Sequence, residues 1–98
     1  MKLYTWGGTY FGMREGNELW TYDGRHVGRF RGEEVYDSEG HYLGELKNGK
    51  LITMSSKVSK SGPSFSPSAS RVGHVPSTNH VGSVMIAGYV DFPSPDEI

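Results

Sequence analysis

Aliphatic side chains recur along this chain at a fixed interval. Leu3, Leu19, Val35 and Leu51 stand sixteen residues apart, and each is followed by a second large apolar residue: Tyr4, Trp20, Tyr36 and Ile52. Glycines keep the same step, with Gly8, Gly24 and Gly40 in one series and Gly12, Gly28 and Gly44 in another. Self-similarity at a fixed period means one structural unit repeated, and sixteen residues suit a two-stranded β-hairpin rather than a helical repeat. Consecutive residues of a strand face opposite ways. The aliphatic column therefore points into a shared core, and the column after it points outward. A hairpin that is apolar on both faces needs cover on both, from its neighbours or from another chain.

The second strand of a unit carries apolar residues three apart around its glycine: Val27-Gly28-Arg29-Phe30 and Leu43-Gly44-Glu45-Leu46. Regular alternation sends two such residues to opposite faces, whereas a bulge at the glycine returns them to one face. The first unit departs from this pattern, with Arg14 in the final position. Short apolar runs bounded by Gly, Asn or Asp predict about seven strands between residues 3 and 54. Glycine every few residues makes a helix there costly.

Residues 55–70 break the composition, because half of them are Ser, with Pro63, Pro67 and a single aromatic, Phe65. Such a stretch buries too little apolar surface to offset its ordering entropy. A mobile loop is expected over about 55–78, and a frayed tail over 93–98. Between them a degraded pattern returns in Val72-Gly73-His74-Val75, Val81-Gly82-Ser83-Val84 and Ala87-Gly88-Tyr89-Val90. A strand drawn from about 80–90 would pair with the strand at 51–54 and cover its edge. The expected architecture is all-β, one domain over 1–98, with about eight short antiparallel strands. They form four hairpins around a pseudo-four-fold axis: repeats 3–16, 19–32, 35–48, and 51–54 closed by about 80–90. Gly82 would be the structural glycine of the fourth unit.

Four stretches carry a resemblance: Gly-Thr-Tyr-Phe-Gly-Met-Arg-Glu-Gly (8–16), Asp-Gly-Arg-His-Val-Gly-Arg-Phe (23–30), Tyr-Asp-Ser-Glu-Gly-His-Tyr-Leu-Gly-Glu-Leu (36–46) and Val-Met-Ile-Ala-Gly-Tyr-Val-Asp-Phe-Pro (84–93). Together they resemble the 4-fold beta flower family of small bacterial proteins, over nearly the whole chain. The resemblance implies four β-hairpin petals about a central axis, and it implies no activity.

Composition narrows the function classes. A net charge of −1 does not make the whole surface an anion-binding field. The absence of Cys removes disulfides, thiolate catalysis and cysteine-ligated zinc. No apolar run has signal-peptide or membrane-helix length, so a cytoplasmic protein without a membrane partner is expected.

Several residue sets are candidates for chemistry. Counting along the repeat places Tyr10, His26, Tyr42 and His80 in equivalent positions. Facing the axis, two imidazoles and two phenols would build a site for a metal or a polar ligand, and a ligand-binding or enzymatic site there is the alternative reading of the chain. Two His make an incomplete zinc set, and half-exposed side chains on an outward face are the plainer expectation, so no metal or cofactor is expected. Glu18 and Glu34 recur at the repeat period as a general acid and base pair would, but solvated edge charges are the ordinary role for such residues. No Gly-x-Ser-x-Gly elbow and no phosphate-binding glycine fingerprint occurs. From Leu46 to Val90 the chain carries Lys47, Lys50, Lys57, Lys60 and Arg71 and no acid. That density is too sparse to predict a nucleic-acid surface. The overall expectation is a non-catalytic module working through protein–protein contact, self-association included.

Overall fold

A computed structural model describes residues 1–73 and 77–98. The chain is all-β, with eight strands: β1 (Lys2–Thr5), β2 (Tyr10–Glu15), β3 (Glu18–Thr21), β4 (His26–Arg31), β5 (Glu34–Tyr36), β6 (Tyr42–Lys47), β7 (Lys50–Met54) and β8 (Tyr89–Asp91). The first seven form an antiparallel meander, and a short parallel pairing of β1 with β7 closes it into a barrel. β8 adds to the other end of β7 as an extra strand. Closure leaves the barrel without an unpaired edge. Among the described residues two short 3₁₀ turns, Ser55–Lys57 and Pro95–Glu97, interrupt the β architecture. Among the described residues no helix is long and apolar enough to cross a membrane.

The bulges expected at the glycines are present three times. Leu3 faces Gly12 while Tyr4 faces Tyr10, and the same slip recurs at Leu19/Trp20 and at Val35/Tyr36. Each slip leaves one extra residue on the second strand: Phe11, Val27 or Leu43. The bulge turns that residue inward, so Phe11, Val27 and Leu43 join Leu3, Leu19, Val35, Leu51, Phe30 and Leu46 at the core. Both apolar residues of the Φ-Gly-x-Φ pattern thus reach one interior. Arg14, the exception, lays its guanidinium 4.1 Å from the centre of the Phe30 ring.

One end of the barrel is built from three copies of one turn. At Thr5, Thr21 and Asp37 the side-chain oxygen accepts the backbone N–H of Thr9, Arg25 and His41, at 3.2, 3.1 and 2.9 Å. Short polar side chains of this kind mimic a backbone turn. Gly8, Gly24 and Gly40 complete these turns with φ of 94°, 87° and 89°. Thr53 continues the column in β7, but the chain after it makes a 34-residue excursion and returns at Gly88, φ 85°. The Ser55 N–H then meets the Gly88 carbonyl at 2.9 Å.

The excursion does not run free of the barrel. It passes back over the three turns in reverse order, one turn every nine residues. Gly62 donates its N–H to the Gly40 carbonyl (2.7 Å), Arg71 to Gly24 (2.8 Å) and His80 to Gly8 (2.8 Å). Phe65 and Ser83 add bonds to the Ser38 and Trp6 carbonyls at 2.9 and 3.0 Å. Composition predicts a mobile loop here because it counts apolar burial. The contacts that place this belt are backbone hydrogen bonds to turn carbonyls, which composition does not register. The part of that expectation that falls on 74–76 lies outside the described residues.

Three further expectations need correction. The closing strand is Tyr89–Asp91, at the very end of the range 80–90. The valines that suggested an earlier strand lie on the belt, where Val81 and Val84 face solvent. Gly82 likewise belongs to the belt, lying so close under Gly7 that a Cβ would stand 2.7 Å from the Gly7 carbonyl oxygen. The tail, expected to fray, makes a 3₁₀ turn closed by a Ser94/Glu97 capping box. Arg25 donates to the Pro95 and Ile98 carbonyls at 2.6 and 2.7 Å, and Pro95 is buried.

Candidate functional site

The outward column and the belt form one continuous layered surface. Tyr4, Trp20 and Tyr36 each meet a cross-strand ring on the same face, Tyr10, His26 and Tyr42, at centroid separations of 5.3, 4.9 and 6.0 Å. Paired rings across antiparallel strands stabilise a sheet face. Every ninth residue of the belt then covers this column. His80 stacks on Tyr4 at 3.6 Å, Arg71 lies 3.6 Å over Trp20, and Gly62 leaves room where a Cβ would stand 3.5 Å from the Tyr36 ring. The second apolar face of each hairpin is therefore covered by this chain itself.

The structure does not gather Tyr10, His26, Tyr42 and His80 around the axis. The axis holds the aliphatic column and the bulge residues, because the bulge swings residues 11, 27 and 43 inward and leaves 10, 26 and 42 on the outer face. Tyr10 lies against Tyr4 and Tyr22. The Tyr42 hydroxyl donates to Glu45 at 2.8 Å and accepts the Met54 N–H at 3.1 Å. Burial holds that phenol well above its ordinary pKa, so it is neutral. His80 is not the fourth member of the column. Counting from Gly88 assigns that place to Val90, and His80 is the belt residue over Tyr4. Among the described residues no group of three His, Asp or Glu is arranged to hold a metal ion.

His26 is buried. It lies between Trp20 and Phe65, and its Nδ1 accepts the Ser68 N–H at 2.9 Å. An accepting Nδ1 puts the proton of a neutral ring on Nε2. That atom lies 2.7 Å from Glu18 Oε1, close in distance but off the line of a hydrogen bond. Glu18 also takes Arg29, at 3.0 Å. The imidazole thus seats the middle of the belt on the second unit through Nδ1, while Nε2 faces a carboxylate of the barrel itself.

The uneven charge of the sequence resolves into complementarity within the chain. Belt cations meet barrel carboxylates: Lys57 with Glu34 and Glu45 at 2.9 and 3.1 Å, Lys60 with Glu34 at 2.8 Å, and Arg71 with Glu15 at 2.8 Å. Lys50 bonds the Ser83 hydroxyl. Glu18 and Glu34 do not form an acid–base pair, since each is taken up by the belt or strand beside it. Hydrogen bonds from Lys60 first, then Lys57, hold the Glu34 carboxyl down to about 2, from an ordinary 4.5. A carboxylate held low in the folded state adds stability above its unfolded value and loses it as pH falls toward the folded value. Stability is therefore expected to drop between pH 4.5 and about 2, beginning with release of the belt start. Glu34→Gln should cost about 1 kcal/mol at neutral pH. It should also flatten that acid limb in urea unfolding followed against pH.

Sequence reasoning found the three barrel repeats and missed the second, shorter one. Arg71-Val72-Gly73 and His80-Val81-Gly82 are nine residues apart, and that spacing was the available signal. Comparison with known proteins gives one match, a family model described as 4-fold beta flower protein, over residues 1–91. No curated protein and no solved structure matches.

Proposed function

Because the chain belongs to the 4-fold beta flower family, we propose that it is a non-catalytic scaffold of four β-hairpin petals whose belt makes contact with another protein. In this reading each petal is one sixteen-residue unit, and the belt is the connection inside the fourth petal. The observation that supports it is the outer side of the belt. Val72, Val81 and Val84 are 90%, 93% and 91% exposed, and Met85 continues the row. β-branched aliphatic side chains standing this far into water gain nothing within the monomer, whereas burying each one is worth roughly 1.5–3 kcal/mol. Exposed apolar side chains grouped on one short segment, as Val81, Val84 and Met85 are, are a usual mark of a protein-contact surface. The outer face of the barrel is already covered by the belt, so contact through the bare hairpin faces is not part of the proposal.

A photo-crosslinking residue at position 81 tests this, with position 33, exposed on the opposite barrel end, as the control. The expected result is a discrete adduct from position 81 in cells, lost when Val84→Asp is added and absent from position 33. The same adduct formed by purified protein would identify the partner as a second copy. Equal labelling from both positions, or none from either, overturns the proposal.

A further inference from the structure

The fourth unit departs from the other three at two consecutive residues. Three units place a bulged apolar side chain, Phe11, Val27 or Leu43, against the core, and the register slips there. β8 has no slip: Thr53 faces Val90 and Ile52 faces Asp91. Counting from Gly88, the position of Phe11, Val27 and Leu43 is held by Asp91, and the position of Gly12, Gly28 and Gly44 by Phe92. Phe92 enters the core, edge-on to Phe11 at 5.3 Å. Phe92 thus supplies the apolar plug of this unit, and the unslipped register leaves an exposed carboxylate, Asp91, opposite Ile52 beside it.

A cavity of about 590 Å³ opens at that place, within the range of small-ligand sites. One wall is apolar, made by Leu43, Val90 and Phe92. The polar wall carries Asp91, Glu97 and the threonine hydroxyls of the turn column, and no Lys, Arg or His lines the space. Asp91 is held in place from three sides. Its Oδ1 accepts the Phe92 N–H at 2.9 Å, and its Oδ2 accepts the Gly7 N–H at 3.1 Å and the Thr5 hydroxyl at 3.4 Å. A carboxylate offers about four acceptor positions, so Asp91 retains capacity for one more donor. Glu97 is kept ionised by the Ser94 N–H and hydroxyl. Two anions, hydroxyl acceptors and an apolar wall select a donor-rich cation on a hydrocarbon stem.

We infer that this mouth cavity binds a primary ammonium group carried on a short apolar chain, with the ammonium at Asp91 and Glu97 and the chain along Val90 and Leu43. The inference rests on the register of β8 and stands apart from the belt proposal. A free amine and the lysine side chain of a protein share this chemistry.

Backbone amide shifts of the intact chain, titrated with n-pentylamine, provide the test, with n-pentanol and N-acetyl-lysine methylamide as parallel arms. Saturable shifts confined to Gly7, Thr9 and residues 90–97 are expected with an ammonium ligand and not with pentanol. Binding by pentylamine alone points to a small metabolite, and stronger binding by the lysine derivative points to a protein side chain. Glu97→Gln should weaken binding about tenfold, the worth of one charge-assisted hydrogen bond. Val90→Lys, at a half-exposed position, should abolish binding by supplying the ammonium internally while the thermal midpoint is kept. Equal shifts with pentanol, or unchanged affinity in a folded Val90→Lys variant, overturn the inference.

Discussion

Phe92→Ala is expected to lower the free energy of unfolding by about 3–5 kcal/mol, the usual cost of truncating a buried phenylalanine. Domains of this size have about 5–15 kcal/mol in total, so the variant sits near the limit of folding at 37 °C. Phe92 is 3% exposed and, among the described residues, is the one fully buried core side chain contributed after β7, with Ile98 partly buried against the same cluster. It joins β8 and the tail to the barrel interior, and its loss leaves the Arg25 bonds to the tail carbonyls without the packing beneath them. Urea unfolding provides the measurement. Val90→Ala, two residues earlier and half exposed, should change stability by less than about 0.5 kcal/mol. A small loss for Phe92→Ala would mean that the barrel closes without the fourth unit.

Gly24→Ala is the second large effect expected, at about 3 kcal/mol, of which about 1–2 kcal/mol is the left-handed backbone. The remainder is a collision, because the new Cβ would stand 2.0 Å from the Arg71 carbonyl oxygen where the belt crosses. Gly32 separates the two contributions. It also has positive φ, at 65°, but nothing lies within 4 Å of its Cβ position. Gly32→Ala should therefore cost only the backbone share, about 1–2 kcal/mol. Gly24→Ala should in addition raise amide exchange at Arg71 and release the Arg71 guanidinium from Trp20, changing the indole fluorescence. Equal costs for the two variants would show that the belt is not registered on this turn.

The barrel was legible because its determinants are local and periodic. Leu3, Leu19, Val35 and Leu51 announce the inward column, and the spacing of Val27 from Phe30 calls for the bulge. The belt was illegible for the opposite reason. Its partners lie up to 77 residues away, as with Ser83 on Trp6, and they are main-chain carbonyls that leave no mark on side-chain composition. A strand rule reads Val81 and Val84 as β-ladder residues, yet their neighbours' hydrogen bonds go to turns. The His column failed at its fourth member because the closing strand starts only after Gly88, so the count from the fourth turn glycine reaches Val90 and not His80. The charge split was visible from residue 46 to residue 90, but only the positions of Glu15, Glu34 and Glu45 reveal that the belt's cations are answered within the chain.

The reversed path of the belt constrains the order of folding. Its hydrogen-bond acceptors, the carbonyls of Gly40, Gly24 and Gly8, exist as a set only after three turns have formed and β1 has met β7. Local hairpins close first, since short loops cost least entropy, and contacts spanning tens of residues follow. The seven-stranded ring can thus assemble while nearly half of the chain, everything after Met54, is still emerging from the ribosome. The belt is then drawn around a finished hub and tied off by Tyr89–Asp91, which makes its seating a late, separately reversible step.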